Sequence, residues 1–123
     1  DELAFVMSHE SAHHILGHLA RVEEDAAVAA QVFARVAELS GGDAAAIRNA
    51  GELGANVGAR AFSKQYELEA DQLGTVISLL AGYDPIKGAA FFMRIPDPGD
   101  QFLGSHPPNS ARIEIVRRTA AAF

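Results

Sequence analysis

Two histidines and a glutamate near the start of the chain form the pattern His-Glu-x-x-His, as His9, Glu10 and His13. On a helix, side chains four positions apart lie on the same face, so both imidazoles can reach one metal ion. The glutamate between them can reach a water molecule on that metal, and zinc held in this way activates water for attack on a carbonyl group. The pattern therefore predicts a catalytic zinc site. Five residues also match by chance, so the rest of the chain must support this prediction.

The third metal ligand must come from another element, because a catalytic zinc ion takes three protein ligands and keeps one position for water. Glu67 and Asp71 are candidates because they lie one helical turn apart and border an apolar seam. Gly74 continues their row, and its lack of a side chain would let another helix approach closely. A metal-binding histidine usually donates its second ring N–H to a carboxylate, a role that suits Asp71 toward His9. The alternative is that both carboxylates are surface charges that pair with Lys64 or an arginine.

A second pair of histidines, His14 and His18, has the same spacing but lies on a more polar stripe of the first helix. No glutamate and no apolar seam accompany this pair, so we interpret it as a solvated or helix-packing face. Glu69 falls with Gln65 and Gln72 on a polar side of its helix, where we expect it to be solvated.

The composition indicates an all-α fold, because Ala, Leu, Glu, Arg and Gln are abundant and strand-like alternation is rare. Helical periodicity begins at Asp1, runs through Arg21 and continues to Leu39, where Ser40, Gly41 and Gly42 end it. Four further helices are expected, at residues 43–62, at residues 63–82, in a short segment from residue 84, and at residues 109–121.

Helix caps and a long loop complete the predicted organisation. Asp43 and Ser63 can cap the second and third helices, and Asp84 can cap the fourth with Pro85 as its first residue. Residues 96–108 are dense in Pro, Gly and Asp and predict a loop. No internal repeat or linker divides the chain, so we expect residues 1–123 to form a single helical domain.

Charge and composition exclude several classes of function. The 123 residues carry a net charge of -6 and no basic cluster, which disfavours a nucleic-acid partner. The chain has no cysteine, which excludes a thiolate zinc site and a cysteine nucleophile. No apolar run approaches the roughly 18 residues that span a bilayer, so no transmembrane segment is predicted in this chain. The oligomeric state stays open.

Four motifs follow one another along the chain: His9-Glu10-x-x-His13, Glu67-x-x-x-Asp71, Ala81-Gly82-Tyr83-Asp84-Pro85, and His106-Pro107-Pro108 followed by Arg112-Ile113. In this order and spacing they resemble the zinc metallopeptidases of the HtpX and CAAX-prenyl-protease type, peptidase family M48. The resemblance extends over nearly the whole chain, and four separated blocks in the right order are far more specific than any one of them.

The resemblance implies a zinc endopeptidase that acts on polypeptides and holds one zinc ion per chain. It implies His9, His13 and Glu67 as the zinc ligands, Glu10 as the general base, and Asp71 as the carboxylate that orients a ligand.

The family also has a histidine and an arginine close to its active site, and these match His106 and Arg112. The histidine is a candidate for polarising the substrate carbonyl or stabilising the oxyanion. The alternative for His106 is a capping or packing residue ahead of the last helix.

The chain departs from the family's pattern in two places. Integral-membrane relatives carry transmembrane helices between the two ligand motifs, whereas residues 21–62 here are charged and alanine-rich. The chain therefore resembles the soluble branch of bacterial periplasmic or lipoprotein-type proteases, which implies a periplasmic or membrane-associated extracytoplasmic location. The family also has β-strands upstream of the first motif, one of which aligns the substrate, so we expect a catalytic domain truncated at its N-terminal side.

Two functional hypotheses of different classes follow. The first is a zinc endopeptidase in which Glu10 takes the proton of the attacking water and delivers it to the leaving amine. The alternative is a zinc-stabilised helical binding or chaperone-like module without hydrolysis. A plain helical domain with chance motifs is a third reading, which the presence of all the required ligand types disfavours.

Overall fold

The computed structural model describes all 123 residues. Six α-helices and one 3-10 segment form the chain, with no strand, and the predicted all-α fold is confirmed. The elements are α1 (Glu2–Ile15), α2 (His18–Leu39), α3 (Ala44–Ala61), α4 (Ser63–Leu80), α5 (Pro85–Ala89), the 3-10 segment (Ala90–Met93) and α6 (Asn109–Ala122). None of these helices combines the length and the apolarity that crossing a membrane requires.

The long first helix predicted from residue 1 to residue 39 is wrong, because the chain turns at Gly17. Gly17 has a φ of 66°, a left-handed conformation that glycine adopts without steric cost and that ends a helix. Helix α1 therefore ends at Ile15, and His18 begins α2 in a new direction. Residues after Gly17 therefore do not lie on the faces that a continuous helix would have given them.

Helices α2 and α3 form an antiparallel hairpin that packs closely along two glycines. A Cβ atom on Gly54 would lie 2.5 Å from the carbonyl oxygen of Ala29, and one on Gly58 would lie 2.3 Å from that of Asp25. No side chain fits at such distances, so these positions let the two backbones approach each other.

The predicted caps are confirmed at two helices and wrong at the third. Asp43 accepts a hydrogen bond from the backbone N–H of Ala46, and Asp84 accepts from two backbone N–H groups of α5. Ser63 does not cap α4, because only Phe62 separates this helix from α3. Its hydroxyl donates instead to the carbonyl of Ala59 in the preceding helix, at 3.0 Å.

Helix α1 packs against α4 and α5, and α6 packs against α4, α5 and the 3-10 segment. Phe5 of α1 forms the buried core with Ala89, Phe92 and Val116. Where α1 meets α4, a Cβ atom on Gly74 would lie 3.0 Å from the backbone N and Cα of His9. The sequence-based expectation of a close helix approach at Gly74 is thereby confirmed, and α1 and α4 face each other at the height of the first histidine.

Candidate metal centre

The facing sides of α1 and α4 bring His9, His13 and Glu67 together. Nε2 of His13 lies 3.0 Å from Nε2 of His9 and 3.1 Å from Oε1 of Glu67. Nε2 of His9 lies 3.6 Å from Oε2 of Glu67. One ligand atom from each residue lies within 4.8 Å of the others. No other histidine or acidic residues of the chain form a group of three as close as this, so these three are the candidates for holding a metal ion.

The separations between these ligand atoms fit a tetrahedral ion. Nitrogen and oxygen ligands about 2.0–2.1 Å from a tetrahedral zinc ion lie roughly 3.3–3.4 Å from each other. The observed separations fall on both sides of that value: 3.0 Å between the two Nε2 atoms, 3.1 Å from His13 to Oε1 of Glu67, and 3.6 Å from His9 to Oε2 of the same carboxylate. Two imidazoles and a carboxylate are also a ligand set that zinc accepts, so the residues present fit this metal.

The ring of His9 is oriented by Asp71 from behind the centre. Asp71 Oδ1 lies 2.8 Å from Nδ1 of His9. Arg112 donates to both oxygens of the same carboxylate, at 2.7 and 2.8 Å. A carboxylate paired with a guanidinium only accepts hydrogen bonds, so Nδ1 of His9 carries the hydrogen of this bond. In the neutral ring the lone pair then lies on Nε2, the atom on the side of Glu67. Asp71 is fully buried, which isolates this pair from water.

The two histidines of the second pair divide between the two readings, a solvated face and a helix-packing face, because the turn at Gly17 places them on different helices. His14 is exposed, but His18 is buried with 3% of its surface accessible, and its ring stacks on Tyr66 with 4.8 Å between centroids. Its Nδ1 lies 2.7 Å from Nδ1 of His13. Helical periodicity missed this contact because the turn at Gly17 moves His18 out of the register of α1.

The expectation that Glu69 is solvated is wrong. Glu69 accepts hydrogen bonds from Arg21 and Gln65, each at 2.8 Å, and its Oε2 lies 3.0 Å from Nε2 of His18. Partial burial alone would raise the pKa of Glu69, but the hydrogen bonds from Gln65, His18 and Arg21 together lower it. Only the placement of α2 after the turn brings two of these partners to α4.

Glu10, His106 and Arg112 lie around the same centre. Glu10 is exposed and lines a cavity together with His9 and Glu67. Nδ1 of His106 and Nη2 of Arg112 lie 3.6 and 3.3 Å from Oε2 of Glu67. The structure therefore brings all the residues that the sequence nominated to one place, although they come from three helices and a loop.

The loop at residues 96–108 is held beside the centre at its base and in its middle. At its base, Asn109 donates to the backbone carbonyls of Phe92 and Ile95, at 2.8 and 3.2 Å. In its middle, Lys64 pairs with Asp100 at 2.7 Å and also donates to the carbonyl of Gln101. These contacts place the segment that carries His106 across the open side of the centre.

An open cavity of about 410 Å³ adjoins the metal centre. The polar groups at its inner end belong to the residues already described, and its outer wall is apolar. That wall includes Phe5, Val6, Phe91, Ile95 and Pro96. A cavity with one apolar wall and a few convergent polar groups can bind an organic ligand in a fixed orientation.

The surroundings of His13 favour the neutral form of its imidazole. Burial lowers the pKa of His13 from its ordinary value, and the nearby rings of His9 and His18 act in the same direction. The carboxylates of Glu67 and Glu10 oppose this shift without reversing it. A neutral imidazole is the form that binds a metal ion.

Two comparisons with known proteins both find similarity to peptidases. The sequence model described as peptidase family M48 matches residues 1–120. A protein of Vibrio cholerae serotype O1 (strain ATCC 39315 / El Tor Inaba N16961) named "Putative beta-barrel assembly-enhancing protease" is 34% identical over 138 aligned residues. The alignment covers 99% of this chain and 28% of that relative, so the chain spans little more than a quarter of the relative's length. No solved structure matches the chain.

Proposed function

The chain belongs to peptidase family M48, and on that premise we propose that residues 1–123 form the catalytic domain of a zinc-dependent endopeptidase. Family membership supports a peptidase activity with a polypeptide as substrate. The observation that carries the finer proposal is the convergence of the Nε2 atoms of His9 and His13 on the carboxylate of Glu67, with separations of 3.0 to 3.6 Å among these groups. His9, His13 and Glu67 would hold one zinc ion.

A zinc ion bound there would lower the pKa of water and polarise the substrate carbonyl. Glu10 is the general base in this proposal, because its carboxylate follows His9 directly and faces the cavity without an ion-pair partner. It accepts a proton from the attacking water as the new carbon–oxygen bond forms. It then delivers that proton to the amine nitrogen as the carbon–nitrogen bond breaks, which regenerates the carboxylate.

His106 is proposed to stabilise the negative charge that develops on the carbonyl oxygen. Its side chain is 60% exposed on the cavity wall, so one ring nitrogen can reach a ligand that enters there. Arg112 has a different part, because its guanidinium is buried and already bound to Asp71. It holds the carboxylate that orients His9 and places a positive charge 3.3 Å from Glu67.

The apolar wall of the cavity is proposed to receive a substrate side chain next to the bond that is cut. Burial of an aliphatic or aromatic side chain against Phe5, Phe91 and Ile95 would fix the position of the peptide relative to Glu10. We therefore expect a preference for a large apolar residue at one position of the substrate.

The location of the reaction is proposed from the relative. The Vibrio cholerae protein is named for enhancing the assembly of β-barrels. We propose that this chain acts outside the cytoplasm of a bacterium, in the periplasm or at a membrane surface, on a protein substrate.

The test combines metal analysis with hydrolysis of unstructured peptides. The chain should bind one zinc ion, and a chelator should remove hydrolysis that added zinc restores. The Glu10→Gln variant should keep zinc and lose hydrolysis by about 10²–10⁴-fold, because general acid–base catalysis contributes on that order. The control is Glu52→Gln, which removes the same charge from an exposed site on α3. Wild-type hydrolysis by Glu10→Gln would contradict the mechanism, and zinc binding without hydrolysis in the wild type would favour the non-hydrolytic binding module.

A further inference from the structure

His13 is supported from behind by His18, a residue outside the His-Glu-x-x-His pattern. Nδ1 of His13 lies 2.7 Å from Nδ1 of His18, and Nε2 of His18 lies 3.0 Å from Oε2 of Glu69. The three side chains form a line of hydrogen bonds from a proposed ligand to a carboxylate on α4. On the other side of the centre, His9 contacts the carboxylate of Asp71 directly, without a histidine between them.

The carboxylate end of this line is fixed by side chains of two helices. Arg21 of α2 donates to Oε2 of Glu69, and Gln65 of α4 donates to Oε1, each at 2.8 Å. Arg21 thereby places a positive charge against Glu69, and His18 contacts the same carboxylate oxygen through Nε2.

The ring of His18 is held in one plane by its packing. It stacks on Tyr66 with an interplanar angle of 20°, and Arg21 lies on the Tyr66 ring at 4.4 Å from its centroid. Tyr66 is itself fixed, because its hydroxyl donates to Asp25 at 2.6 Å. A ring that is 3% exposed and packed in this way cannot turn its nitrogens away without breaking several contacts.

The direction of donation follows from the carboxylate. Glu69 accepts, so Nε2 of His18 carries the hydrogen, and a neutral His18 then offers a lone pair at Nδ1. His13 must donate from its own Nδ1, which leaves the lone pair on Nε2, the atom that faces His9 and Glu67. Resting on the proposed zinc site, we propose that His18 and Glu69 are positioning residues that hold His13 in the tautomer able to bind the metal.

The opposite arrangement makes the proposal testable. If His18 carried hydrogens on both nitrogens, it would donate to Nδ1 of His13. The hydrogen of His13 would then sit on Nε2 and block the metal position. The two arrangements differ in the nitrogen that is protonated in each ring, which is measurable without any metal or substrate.

The first experiment measures these tautomers in the metal-free chain near neutral pH by long-range ¹H–¹⁵N correlation spectroscopy. We expect hydrogen on Nδ1 of His13 and on Nε2 of His18, with the exposed His14 as an internal reference for an unconstrained ring. Hydrogen on Nε2 of His13, or on both nitrogens of His18, would overturn the proposal.

The second experiment compares zinc affinity among three variants by competition with a chromophoric chelator. His18→Leu keeps an apolar side chain but removes both hydrogen bonds, and we expect affinity to fall by about 10–100-fold. His18→Gln offers an oxygen to accept from His13 and an amide N–H to donate to Glu69, and it should recover most of that loss. His14→Leu is the matched control and should leave affinity unchanged.

The results separate failure of this inference from failure of the proposed function. A wild-type chain that binds no zinc counts against the zinc site itself. A wild-type chain that binds zinc as tightly as His18→Leu, with His13 in the same tautomer in both, overturns the inference alone. Circular dichroism checks the folding of each variant, and if His18→Leu does not fold, the wild-type tautomers and His18→Gln decide.

Discussion

The carboxylate of Asp71 fixes the ring of His9, with 2.8 Å between Oδ1 and Nδ1. The same carboxylate binds Arg112, which stands 41 positions later in the chain, through two hydrogen bonds. One buried group thus joins α1, α4 and α6 and orients a proposed metal ligand. The stability of the fold and the geometry of the centre should therefore depend on the same residue.

Removal of this carboxylate should damage both stability and metal binding. Asp71→Ala removes the two hydrogen bonds that Asp71 accepts from the buried guanidinium of Arg112, and breaking a buried ion pair typically costs about 3–5 kcal/mol of unfolding free energy. It also releases the His9 ring, and zinc affinity should fall by about 10–100-fold. Urea denaturation of the metal-free chain and chelator competition measure the two effects separately.

The matched control for Asp71 is Asp100, whose side chain is 81% exposed and pairs with Lys64. Asp100→Ala should change stability by less than about 1 kcal/mol, because exposed ion pairs contribute little, and it should leave zinc affinity unchanged. Equal effects of the two substitutions would contradict the role given to Asp71.

The close contact between α4 and α1 should be sensitive to a single methyl group. In Gly74→Ala, the new Cβ would lie 3.0 Å from the backbone N and Cα of His9, so α1 must move away by a few tenths of an ångström. We expect lower zinc affinity, since both histidines shift relative to Glu67, together with a lower melting temperature. Gly51→Ala is the control, because its Cβ would meet Ala30 and Ala34 at an ordinary 3.8 Å. A helix-interior alanine at that site should be neutral or stabilising by up to about 1 kcal/mol, and a Gly74→Ala chain as stable as Gly51→Ala would refute the tight contact.

Local periodicity was sufficient to nominate the centre but not its full surroundings. The spacing of His9 and His13, and of Glu67 and Asp71, is a property of single helices, so it can be read without knowing how the helices pack. The contact of His13 with His18 depends on a left-handed glycine, Gly17, that a continuous helical pattern conceals.

His106 could not be nominated from helical periodicity. No helical period describes its loop, and only the resemblance to a family pointed to it. The structure shows why pattern alone was insufficient, since the loop is held by Lys64 and Asn109, whose partners lie 12 or more positions away in the chain.

The apolar cavity wall should determine substrate preference. Val6 lines the cavity and is 39% exposed, so Val6→Lys introduces a charge beside the proposed side-chain site with little disturbance of the core. We expect kcat/KM for a peptide with leucine at the sensitive position to fall by about 10–100-fold, and the ratio of glutamate to leucine peptides to rise. Leu3→Lys is the control, because Leu3 is 73% exposed on α1 and does not line the cavity. An unchanged peptide preference in Val6→Lys would place the substrate side chain elsewhere.

The lowered pKa of His13 predicts how acid affects the centre. Burial lowers this pKa below the ordinary value of about 6.5, aided by His9 and His18 and opposed by Glu67. The neutral ring binds zinc, so affinity should change little down to about pH 6.5 and fall once the pH passes below the lowered pKa of His13. In the metal-free chain the unfolded state gains this proton first, so the free energy of unfolding should decrease as the pH drops below about 6.5. Chelator competition and melting curves between about pH 7.5 and about pH 5 test both signs, with exposed His14→Gln as a control that leaves the curves unchanged. Zinc affinity equal at the two ends of that range would contradict histidine ligation.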